Sequence, residues 1–99
     1  YIINVLQASN PNVTIIIEQM APTHSDEMTA ELTNYINDLH QDMLLIASNK
    51  TTSTSEIIAI DMFTGFTDAM LADDVHYNEL GAKFIADKYY AVLVNLLQG

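Results

Sequence analysis

Cysteine, tryptophan and arginine are absent from the chain, and glycine and proline are scarce, with three and two residues. Without cysteine there is no disulfide, no thiolate nucleophile and no thiolate metal ligand, although this leaves the compartment open. Three lysines stand against thirteen acidic residues, a net charge of -10, so no cationic surface exists for phosphates. Nucleic acid and anionic membrane are thereby excluded as partners. No apolar run approaches the roughly eighteen residues of a membrane span, and a soluble chain is expected. There is no repeat, low-complexity tract or interior linker, and the 99 residues make at most one small, marginally stable domain.

The hydrophobic pattern reads as an α/β unit. Ile2, Val5 and Leu6 have helical spacing over Tyr1 to Ser9, and Asn10-Pro11-Asn12 stops it. Val13-Thr14-Ile15-Ile16-Ile17 predicts a strand buried on both faces, as in a parallel sheet, with Glu18 to Pro22 as its exit. A helix is predicted from Thr23-His24-Ser25, capped by Thr23 or Ser25, with Asp26 and Glu27 near the positive end of its dipole. Its buried face runs through Met28, Leu32, Tyr35, Ile36, Leu39, Met43 and Ile46, which leaves His40 at the surface. After a polar loop, Ser48 to Ser55, comes a second strand, Ile57 to Ile60. A crossover this long makes the two strands parallel and the connection right-handed. Residues from Gly65 to Leu71 form a loop or short helix, and Asn78 caps a final helix buried along Gly81, Ile85, Tyr89, Val92 and Leu96. Gly81 is expected to let that helix approach the sheet closely.

Only one stretch reads as chemistry: Leu71-Ala72-Asp73-Asp74-Val75-His76-Tyr77-Asn78, beyond the carboxyl end of the second strand, where open α/β sheets place ligands. An acid three residues before a histidine, on a loop that a helix cap closes, can fold back to hold one ring nitrogen and leave the other free. That is the carboxylate and base half of a serine-hydrolase triad. Alone, an Asp-x-x-His spacing is a weak signal. Asp73, Asp74, His76 and His24 also match no metal motif. His24 lies after the first strand, on the same edge of the sheet, and reads as a solvated loop residue. Ser9, Ser25, Ser48, Ser53 and Ser55 offer no strand-to-helix nucleophile elbow; Ser25 is nearest in topology but suits a helix cap better. The sequons at Asn12 and Asn49 are triplets common by chance.

Asp73-Asp74-Val75-His76 with Asn78 and Gly81-Ala82 resembles the last conserved block of the SGNH (GDSL) hydrolases. Ile57 to Phe66 resembles the last strand and following Gly-Phe turn of that family, especially its carbohydrate acetyl esterases such as acetylxylan esterases. The family usually has Gly where Asp74 stands and Pro where Tyr77 stands. Neither departure touches the proposed acid or base, but Asp74 puts a second carboxylate beside the first; the spacing favours Asp73. No Gly-Asp-Ser block and no Gly-x-Asn-Asp block is present, so the resemblance covers the back half of the family's domain.

The resemblance implies that residues 1–99 are the C-terminal part of a single SGNH-hydrolase domain, with part of a flavodoxin-like, three-layer α/β/α fold and parallel strands. It implies His76 as general base and Asp73 as its orienting carboxylate, an ester substrate, in particular acetylated carbohydrate, and no cofactor; the location stays unknown, a secreted one being compatible with the resemblance. The serine nucleophile would lie outside this chain, and the partner would be the missing N-terminal half or a second copy. The alternative is a non-catalytic assembly or binding module on a truncated hydrolase scaffold.

Overall fold

Five successive residues from Ile15 pair with five from Ile57, and this ladder fixes everything else. The computed structural model describes residues 2–98; Tyr1, where the first helix was expected to begin, and Gly99 lie outside them. The order is α1 (Ile2–Ser9), β1 (Ile15–Gln19), a 3-10 turn (Ser25–Glu27), α2 (Ala30–Lys50), β2 (Ile57–Asp61), a second 3-10 turn (Asp68–Met70) and α3 (Glu79–Gln98). The two strands are parallel, with Ile15 opposite Ile57 and Gln19 opposite Asp61. This is a mixed α/β architecture with the two-stranded parallel sheet and three helices of a partial SGNH-like α/β/α fold.

β1 sits two residues later than its hydrophobic run implied. Val13 and Thr14 precede the ladder, because the first bond is donated by the Ile15 amide to the Glu56 carbonyl (2.9 Å). Glu18 and Gln19, expected in the exit, remain in the strand because β2 continues to Asp61 beside them. Their side chains find partners on opposite faces of the sheet, as the period of two requires. The Tyr89 hydroxyl of α3 donates to Glu18 Oε2 (2.7 Å), and Gln19 Nε2 donates to the His40 carbonyl of α2 (2.9 Å). On the α3 side Ile60, Met62, Ala21 and Phe66 are buried, packed by Ile16, Phe84, Ile85, Tyr89 and Val92. On the other side Ile15 and Ile57 are buried against Ala47 of α2, with Ile3 of α1 against them.

α2 starts seven residues after Thr23. The Ser25 amide and hydroxyl, expected at a cap, both donate instead to the Asp68 carboxylate, the amide at 2.8 Å. His24 caps the short turn, its Nδ1 accepting from the Asp26 amide (3.2 Å). The helix proper is capped by Thr29, whose Oγ1 accepts from the Leu32 amide (3.1 Å). At its other end α2 runs through Ser48, Asn49 and Lys50, so the loop is shorter than expected. Its buried residues are Ile36, His40 and Ala47; Tyr35 is 67% exposed and Ile46 is exposed too. His40 was read as a surface residue. It is buried because it sits four residues from Ile36 on the face that meets the sheet, edge-on to Phe63 (centroids 5.5 Å, planes at 83°).

The body is a thin slab, 42 × 31 × 18 Å, with a radius of gyration of 15.3 Å, where a compact domain of this length has about 13 Å. α1 has no buried residue, and Leu44, Leu45, Leu93 and Leu97 are exposed. In a parallel ladder alternate residues send both backbone groups to the same side. Ile15 and Gln19 use theirs on β2, so Ile16 and Glu18 turn theirs to the other edge of β1.

Candidate active site

Beyond β2 the chain makes two turns before α3, and both are fixed by short polar contacts. Asp61 Oδ1 accepts from the amides of Phe63 (2.8 Å) and Thr64 (3.0 Å), reversing the chain at the strand end. The Phe66 amide then bonds the Phe63 carbonyl (3.2 Å), with Gly65 at φ 86°, a left-handed position that glycine adopts without strain. This turn delivers Phe66 into the core, against Tyr77 and Phe84, both 5.6 Å away between ring centroids.

The Leu71 to Tyr77 segment closes on itself. Leu71 and Tyr77 form an antiparallel bridge, and the Ala72 amide donates to the His76 carbonyl (2.7 Å). Asn78 locks the base of this loop: its amide donates to the Met70 carbonyl (3.0 Å), its Nδ2 to the Ala69 carbonyl (2.7 Å), and its Oδ1 accepts from the Gly81 amide (3.0 Å). Asn78 is thus the cap of α3 and its tether to the 3-10 turn. Gly81 is the point of closest approach, although not to the sheet as expected. A Cβ there would run into the Met70 carbonyl oxygen and lie 3.2 Å from Tyr77 Cβ.

Within the loop, Asp73 Oδ1 accepts from the amides of Val75 (2.9 Å) and His76 (2.7 Å), and Asp73 Oδ2 lies 2.7 Å from His76 Nδ1. Asp73, not Asp74, holds the ring. The backbone amides of Val75 and His76, with the imidazole contact after them, hold the Asp73 carboxyl down to about 2. An ionised carboxylate only accepts, so Nδ1 carries the proton and Nε2 keeps its lone pair as the basic nitrogen. The imidazole is 76% exposed, open to a reacting group. His24 donates its backbone amide to the Asp74 carbonyl (2.9 Å), and its ring Nε2 lies 3.4 Å from Asp68 Oδ2. Sequence alone did not join His24 or Asp68 to this loop; the positions of His24 and Asp68, just after β1 and beyond β2, were the only hint. Among the described residues no group of three or more His, Asp or Glu side chains is placed to hold a metal ion.

The Asp73 contact has a titration signature. Because its folded value lies below the ordinary 3.8, its stabilising contribution is complete above that pH and is lost as pH falls from there through about 2. A carboxyl-carbon NMR titration is expected to place the Asp73 midpoint at about 2. A midpoint at the ordinary value would show that the two amide bonds are not made in solution.

The parallel sheet and its crossover helix match a partial SGNH-like α/β/α fold, and likeness to solved esterases supports an esterase-like scaffold. Two solved structures are similar to the chain at 28% identity and a TM-score of 0.79, each over 96% of it: a carbohydrate esterase family 3 protein from Talaromyces cellulolyticus, and an acetyl esterase mutant with acetate ion. The chain spans 44% of the length of each. No family model and no curated protein matches it.

Proposed function

We propose that the chain is the part of a serine esterase that carries the base, hydrolysing acetyl esters on carbohydrate. The observation that carries this reading is the Asp73–His76 pair, bonded through Nδ1 at 2.7 Å, on a scaffold similar to carbohydrate esterases. A serine supplied from outside these residues attacks the acetyl carbonyl while His76 Nε2 takes its proton. The imidazolium so formed is stabilised by Asp73 and returns the proton to the departing sugar alkoxide. Water, deprotonated by the same nitrogen, then releases acetate from the acyl-enzyme. Residues 1–99 are read as the C-terminal part of one domain, and the nucleophile and oxyanion donors belong to the remainder.

The 99-residue polypeptide alone is therefore expected not to turn over p-nitrophenyl acetate, and to gain activity when a segment bearing the nucleophile is supplied. Turnover by the chain alone that disappears in His76→Ala would place the nucleophile inside it and end this account. The open edge of β1 points the same way, since unpaired strand edges recruit strands. Light scattering of the isolated chain at physiological salt, which screens surface charge beyond roughly 8 Å, is expected to show dimers or larger species. A cooperatively unfolding monomer with Ile16 and Glu18 amides protected from exchange would refute that.

A further inference from the structure

Residues 72–76, which carry the dyad, are bonded chiefly to one another. Asp73 holds the Val75 and His76 amides and the imidazole, the Ala72 amide bonds the His76 carbonyl, and the side chains of Asp73 and His76 are 57% and 76% exposed. Among the described residues a single hydrogen bond joins this stretch to the rest of the molecule, from the His24 amide to the Asp74 carbonyl (2.9 Å). Asn78 fixes the base of the loop; its tip hangs on that one contact.

His24 in turn lies at the end of an irregular stretch, residues 20–24, that leaves β1. The next residue supplies its anchor. Ser25 donates its amide to Asp68 Oδ1 (2.8 Å) and its hydroxyl to Asp68 Oδ2, and the His24 ring brings Nε2 to 3.4 Å from the same Oδ2. Two consecutive amides thus grip the segment from Asp68 to Asp74 at both ends, Ser25 by the Asp68 side chain and His24 by the Asp74 carbonyl. We propose that Asp68 is a positioning residue for the dyad: its carboxylate clips the exit of β1 to the turn after β2, and this clip sets where the loop bearing His76 stands over the sheet. Its bearing on catalysis rests on the esterase reading above; the clip itself rests on these contacts.

A carboxylate suits the task because its two oxygens accept an amide and a hydroxyl together, and an ionised acceptor makes the stronger bond. The Ser25 hydroxyl and then its amide hold Asp68 below the ordinary carboxylate range, so the charge is kept. Asp68 also opens the 3-10 turn whose Ala69 and Met70 carbonyls hold Asn78. Both supports of the dyad loop therefore meet at one turn. The clip does not act inside the dyad, whose bonds are made within residues 73–76. Without Asp68 the pair would shift as a unit, its own geometry kept. On the esterase reading the nucleophile comes with the segment that covers the open edge of β1, and the clip ties the base to that same strand. A misplacement of about 1 Å between base and nucleophile can cost roughly a hundredfold in rate.

The test compares Asp68→Ala with Asp68→Asn, which keeps an oxygen for the Ser25 amide. In the 99-residue chain, Asp68→Ala is expected to cut hydrogen-exchange protection of the His24 amide about tenfold and to lower the order parameters of the Asp74 and Val75 amides below about 0.6. The Met62 amide, bonded to the Gln19 carbonyl (2.9 Å), and the Asp73 midpoint of about 2 are expected to stay as they are. Asp68→Asn is expected to recover most of the lost order. In the protein completed with a nucleophile-bearing segment, Asp68→Ala is expected to lower kcat by about ten- to a hundredfold with little change in KM, and Asp68→Asn to regain most of that. Unchanged protection of His24 in Asp68→Ala, an equal loss at Met62, an Asp73 midpoint back at the ordinary value, or no recovery in Asp68→Asn would each overturn the clip. Full kcat in Asp68→Ala beside a loosened loop would end its positioning role. A completed protein that hydrolyses no ester, with the exchange pattern as expected, would uphold the clip and remove only the esterase reading.

Discussion

On the esterase reading proposed above, replacing His76 by alanine in a protein completed with a nucleophile-bearing segment is expected to lower kcat for acetyl-ester hydrolysis by about three to four orders of magnitude. The base has no substitute within reach of the loop: His24 spends its ring on Asp26 and Asp68, and His40 is buried behind Phe63. KM is expected to change little, because in the proposed mechanism the imidazole acts on the serine proton and not on the sugar. The two neighbouring carboxylates should separate cleanly. Asp73→Asn removes the acceptor that fixes the Nδ1 proton and should cost about two to four orders of magnitude. Asp74→Asn should cost less than about threefold, since Asp74 enters the site through its backbone carbonyl alone. Steady-state kinetics of the three variants, with circular dichroism to confirm the fold, decide the matter. A larger loss in Asp74→Asn than in Asp73→Asn would reverse the assignment of the orienting acid.

Gly81→Ala is the substitution expected to cost most in stability, about 3 kcal/mol, at the upper end for overpacking because the obstacle is backbone and not a side chain that can rotate away. The sign makes the experiment decisive. In an exposed helix the same change would stabilise by about 1 kcal/mol through helix propensity. Here the added methyl must push α3 off the Met70 carbonyl, and with it the three bonds by which Asn78 ties the helix to the carbonyls of Met70, Ala69 and Leu71. Chemical unfolding of Gly81→Ala beside the parent measures this directly. An increase in stability would show that the close approach is absent in solution.

The parts of the fold legible in the sequence are those whose cause is local. Ile15 to Ile17 and Ile57 to Ile60 announce strands because the runs are apolar throughout and β-branched except at Ala59. Asn78 announces α3 because a cap needs only the next three residues. The Asp73–His76 contact was readable for the same reason, being made three residues apart. What was misplaced depends on distant residues. The start of α2 fails at Ser25 because Asp68, 43 positions on, takes both of its donors. Glu18 and Gln19 stay in β1 because Ile60 and Asp61, some 42 positions on, continue β2 beside them. His40 itself looks like a polar surface residue until Phe63 is laid against it.

All three contacts of the Asp73 carboxylate span two or three positions of chain. Closing so small a loop takes well under a microsecond, whereas docking one polypeptide segment on another takes milliseconds to minutes and depends on concentration. The base would therefore be ready long before the nucleophile arrives. In a reconstitution from two separate segments, the lag before activity appears should shorten as either segment is made more abundant, and the clock of the active centre should be set by their encounter and not by any step within the histidine loop.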